Sequence, residues 1–85
     1  MITHLKPEEQ HQHKNGGGWI ANTATVEETA YVSPDAQVSG NAQVSGKAWV
    51  FGNAWVFGNA LVSGNALVSG NARVSGKARV FGNRA

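Results

Sequence analysis

Cysteine is absent from the 85-residue sequence, which excludes disulfides and thiolate metal sites. Charge is scarce: Asp, Glu, Lys and Arg make up 14% of the residues and the net charge is +2. So small an excess does not point to a nucleic-acid partner. No apolar run approaches the roughly 20 residues that a bilayer-spanning helix needs. The opening Met1-Ile2-Thr3-His4 lacks the apolar stretch of a secretory signal. A cytoplasmic protein without membrane contact is the expectation, and its length suits one domain. Histidine is confined to His4, His11 and His13. The rest of the chain therefore lacks the commonest general base and metal ligand.

The charges that are present are sorted along the chain. All acidic residues (Glu8, Glu9, Glu27, Glu28, Asp35) precede position 36. Lys47, Arg73, Lys77, Arg79 and Arg84 come after it. An acidic end and a basic end formed by Arg73, Lys77, Arg79 and Arg84 are expected.

Residues 1–18 carry no period and are read as a polar tail, or as a cap over the remainder of the chain. Lys6-Pro7-Glu8-Glu9 has the features of a helix start, with proline in the first turn and acids near the positive end of the dipole. Asn15-Gly16-Gly17-Gly18 would end it. Without a strand-then-helix setting, that glycine run is not a phosphate loop.

From Trp19 to the end, residues 19–85, a register of six takes over. Ile20 and then Val26, Val32, Val38 and so on to Val80 recur every sixth residue. Alanine, from Ala24 to Ala78, stands two residues before each next valine. A spacing of two turns alanine and valine to one face of a strand and the residue between them to the other. Each hexad is thus a short Ala-x-Val strand and a Ser/Phe-Gly-Asn corner. Strands this short are stable only when stacked on copies of themselves. The corner requires a residue tolerant of positive φ. Glycine in the third slot and asparagine in the fourth both qualify. Pro34 in a glycine slot and Lys47 and Lys77 in asparagine slots argue against one option each. Either the first corners differ in type, or the fourth residue turns the chain.

These hexads, intact over ten consecutive units, resemble the hexapeptide repeat of left-handed parallel β-helix proteins, and in particular short bacterial and prophage members. The resemblance covers Ile20 to Asn83, about three-quarters of the chain. It implies an all-β fold: a single-stranded left-handed solenoid of about three and a half triangular coils, three hexads to a coil. It says little about function, since such coils serve acyltransferases, γ-class carbonic anhydrases and purely structural modules. The enzymes place a histidine on a coil, in a cleft between the subunits of a trimer. No coil here holds histidine, and no protruding loop suits an acyl donor. The corner serines have no base beside them. Neither an enzyme nor a bound cofactor is expected.

With 18 residues to a coil, equivalent slots stack in columns. Trp49 then lies beside Leu67, Gln43 beside Leu61, and Trp55 between Gln37 and Arg73, whose guanidinium can lie over the indole. Trp49, Phe51, Trp55, Phe57, Leu61 and Leu67 cover the outside of the middle coils over more than one face. An exposed apolar belt of this kind marks an interface. Self-association as a trimer or dimer is the expectation. The alternatives are an acyltransferase-like remnant with a small-molecule groove between subunits and an inhibitor or adaptor that offers the belt to a foreign protein. An uncovered solenoid end would also invite pairing, and Arg84-Ala85 makes a thin cap. His11-Gln12-His13, with His4, is the one candidate metal group. Ice binding would call for arrays of threonine, which the faces lack.

Overall fold

Alternation sets the architecture. The computed structural model describes residues 2 and 5–81. In chain order the strands are β1 (Gln10–Gln12), β2 (Trp19–Ala21), β3 (Thr25–Val26), β4 (Tyr31–Val32), β5 (Gln37–Val38) and β6 (Gln43–Val44). They continue as β7 (Trp49–Val50), β8 (Trp55–Val56), β9 (Leu61–Ser63), β10 (Leu67–Val68), β11 (Arg73–Val74) and β12 (Arg79–Phe81). All eleven strands from β2 onward stack in parallel on the strand three positions away, giving just under four turns of a β-solenoid. Three sheets result. The Trp55 sheet holds β2, β5, β8 and β11, the Leu61 sheet β3, β6, β9 and β12, and the Trp49 sheet β4, β7 and β10.

The interior is what the spacing of two requires. Alanine and valine from Ala30 to Val68 are fully buried, and Ile20 and Val74 nearly so. Each such valine contributes about 1.5–3 kcal/mol of burial. The backbone runs its hydrogen bonds along the axis. Trp49 N–H donates to Ala66 (2.9 Å), Phe51 N–H to Val68 (2.9 Å) and Asn53 N–H to Gly70 (2.8 Å). The same three bonds recur from hexad to hexad, so two-residue strands are held by their neighbours rather than by their own length.

Glycine, not asparagine, turns the corners. The third-slot glycines from Gly40 to Gly76 have φ between 63° and 70°, and no described residue other than glycine has positive φ. The first corners are of another type, with Glu28 and Pro34 where glycine stands later. Glycine is needed for space as well as conformation. A Cβ at Gly40 would lie 2.9 Å from the amide nitrogen of Gly58, one turn on.

Residues 5–18 lie on the first turn. Pro7–Glu9 form a single 3₁₀ turn, closed by Lys6 N–H donating to the Glu9 carboxylate at 2.9 Å. β1 then pairs antiparallel with β2 and covers the outer edge of the Trp55 sheet. The chain next crosses to β4: Val32 N–H donates to Asn15 (3.1 Å) and Gly18 N–H donates to Val32 (2.9 Å). A Cβ on Gly18 would lie 2.2 Å from Val32 Cγ1, so the glycine run is what lets the backbone lie flat on that edge. Gln10 is the fastener. Its amide is buried, accepts from Ile2 N–H (2.7 Å) and donates to the carbonyls of Ile2 (3.0 Å) and Leu5 (3.1 Å). Ile2 itself is fully buried.

Candidate interaction surface

The residue between each alanine and valine points outward, and three columns result. On the Trp49 sheet, Tyr31, Trp49 and Leu67 are stacked in register. The Tyr31 and Trp49 rings lie 5.0 Å apart, and Phe51 meets Trp49 edge-on at 6.2 Å. On the Trp55 sheet the column is Trp19, Gln37, Trp55 and Arg73. On the Leu61 sheet it is Thr25, Gln43, Leu61 and Arg79. The column pairs read from the period of 18 are those the structure contains.

Exposure differs among the belt residues. Trp49 is 49% exposed and Trp55 37%, while Phe51, Phe57, Leu61 and Leu67 are half-buried. The belt is thus two open indoles flanked by partly shielded apolar side chains. It is spread over three faces and is densest on the Trp49 sheet. Tyr31 and Phe81 (60% exposed) extend it and were not singled out by sequence. Tyr31 was legible as the outward slot one turn before Trp49.

Around Trp55 the surface is more polar. Arg73 lies over the indole, 5.1 Å from the ring centroid, and Phe57 meets it edge-on at 6.4 Å. A groove of about 480 Å³ runs along the axis, lined by Asp35, Gln37, Asn53, Trp55, Asn71 and Arg73. A second hollow of about 370 Å³ lies on the Phe57 side of the same ring. Of the basic residues, Arg73 is on the Trp55 sheet, Arg79 on the Leu61 sheet and Lys77 between them, all exposed. Arg84, and with it the cap expected from Arg84-Ala85, lies outside the described residues.

The two histidines of His11-Gln12-His13 are drawn apart. Asn22 uses its amide nitrogen on the Glu8 carbonyl (2.8 Å), so its oxygen accepts from His11 Nδ1 (2.7 Å). His13 is buried and its Nε2 donates to the Ala30 carbonyl at 2.8 Å. Both rings fasten residues 8–13 to the first turn, and no three potential ligands converge among the described residues. His4 lies outside them. Ser33 directs its hydroxyl to the Gly52 carbonyl (3.4 Å). Among the described residues no helix is long and apolar enough to cross a membrane.

Residues 36–52, 54–70 and 60–76 match the family model described as YdcK beta solenoid repeat. The chain is similar to that repeat over its middle and later turns, the region where glycine fills every corner. No curated protein and no solved structure gives a match.

Proposed function

We propose that this chain is a non-enzymatic β-solenoid module, of the short hexapeptide-repeat kind found in bacteria and prophages, that acts in the cytoplasm by assembling with copies of itself. The observation that carries this reading is the exposure of Trp49 and Trp55 on the middle turns, each beside a partly shielded phenylalanine. An indole left open on a regular sheet is an anchor for a partner, since tryptophan dominates the energy of interfaces that bury it. The histidines support a non-catalytic role. Each has a fixed partner on the first turn, and neither meets a corner serine.

Sedimentation velocity at micromolar concentration tests the proposal. The wild-type chain should sediment as a dimer or trimer, and Trp49→Glu or Trp55→Glu should shift it to the monomer with an unchanged β-sheet spectrum. A wild-type monomer would defeat self-assembly and leave a foreign protein as the partner of the belt.

A further inference from the structure

We infer that the Trp55 sheet is a two-fold dimer face on which a second copy packs with its solenoid axis reversed. This rests on the self-assembly reading and names the face and the symmetry. Asp35 is the first observation. In the first turn, the fourth slots hold Thr23 and Thr29, whose hydroxyls donate to the Gly40 and Gly46 carbonyls one turn on. Asp35 occupies the same slot, and a carboxylate has no proton to donate. Ser33 makes the corner's hydroxyl contact instead, to Gly52. The Asp35 carboxylate is exposed and has no hydrogen bond or ion pair among the described residues. It serves no purpose in the corner.

Arg73 is the second observation. Its guanidinium rests on the Trp55 ring and has no carboxylate partner among the described residues. Both charges lie in one groove with Trp55 between them. Asp35 precedes β5, one turn before Trp55, and Arg73 begins β11, one turn after. At ~4.8 Å per turn they stand about 10 Å apart, too far to pair within the chain.

That arrangement is its own complement. A two-fold axis lying along the strands at the level of Trp55 sets one Trp55 against the other. It carries Arg73 of each copy to the rung of Asp35 and Gln37 on its mate, and so makes two cross-copy ion pairs. Packing with parallel axes would instead oppose Arg73 to Arg73. The body measures 32 × 24 × 21 Å, so even its broadest side offers little more than the ~800 Å² per partner of a standard interface. A stable dimer must use nearly a whole face, and the charges at both ends of that face must agree.

Charge exchange tests this on the full chain, by native mass spectrometry and sedimentation. Asp35→Arg and Arg73→Asp alone each oppose like charges twice and should weaken the dimer at least tenfold. Mixed one to one, they should form a heterodimer, and the double variant D35R/R73D should regain the wild-type dimer. Both residues are exposed, and an unchanged far-ultraviolet spectrum checks that each variant folds. Charge variants that dimerise like wild type, or that fail to associate when mixed, would overturn the face and symmetry. If Trp49→Glu still dissociated that same oligomer, self-assembly would stand without this face. A wild-type monomer would overturn both.

Discussion

The first turn and the turns after it are built from one hexad plan but close their corners by different means. From Gly40 onward the fourth-slot backbone N–H reaches the glycine carbonyl one turn on, as in Asn41 to Gly58 and Asn59 to Gly76, both 2.8 Å. In the first turn that bond is replaced by a side chain: Thr23 and Thr29 donate hydroxyls to Gly40 and Gly46, and Glu27 accepts from Gly46 N–H at 2.8 Å. Glycine is absent from those first corners, so the backbone does not curl to the position from which it could donate. The difference teaches that the repeat is held by its rungs, not by its residues. Where the glycine turn is missing, another donor is brought to the same carbonyl.

Substitution should sharpen that contrast, most of all at the stacked glycines. Gly58→Ala combines the cost of positive φ, about 1–2 kcal/mol, with a Cβ 2.8 Å from the Gly76 nitrogen. It should lower stability in urea by roughly 3 kcal/mol or more. Gly70→Ala has the same kind of φ but nothing within 4 Å of the new Cβ, so it should lose only about 1–2 kcal/mol. Equal losses at the two sites would show that stacking is not what the corner demands. Next in size is Gln10→Ala, which leaves the buried Ile2 amide and carbonyl without partners. The Ile2 amide should then exchange with solvent about 30-fold faster, equivalent to ~2 kcal/mol of local opening. Thr29→Val should be milder, near ~1 kcal/mol in urea, because one hydroxyl donor is lost. Asn59→Val, whose rung bond comes from the backbone, should change stability by less than about 0.5 kcal/mol. A larger loss at Asn59 than at Thr29 would reverse the assignment of donors.

The turns were legible because their signal is periodic. Six-residue spacing fixed which residues share a column, down to Arg73 over Trp55, since only the number of residues per turn enters. The corner was half legible. Pro34 in a glycine slot made glycine look dispensable, when it marks a first turn of a different kind. Residues 1–18 were the least legible. β1 is Gln10-His11-Gln12, polar throughout, and its pairing with β2 comes from an open sheet edge that needs hydrogen bonds, not from an apolar alternation. Gln10 is a buried fastener with the composition of a surface residue, and nothing local marks it. The glycines Gly16–Gly18 were read as a stop signal, whereas Gly18 provides a close approach to Val32. Of the candidate surface, the tryptophans and their phenylalanines were foreseeable from their slots. How much of each ring stays open depends on its column neighbours.

The stacking has a consequence for how such a chain can change in length. Removing a whole turn of 18 residues leaves every remaining side chain on the face it had, and merely shortens the rod. Removing a single hexad would keep every valine and alanine indoors yet move the entire downstream exterior round by one side, so that Arg73 would follow Trp49 and no longer Trp55. The core is blind to that slip, and only the outer columns record it.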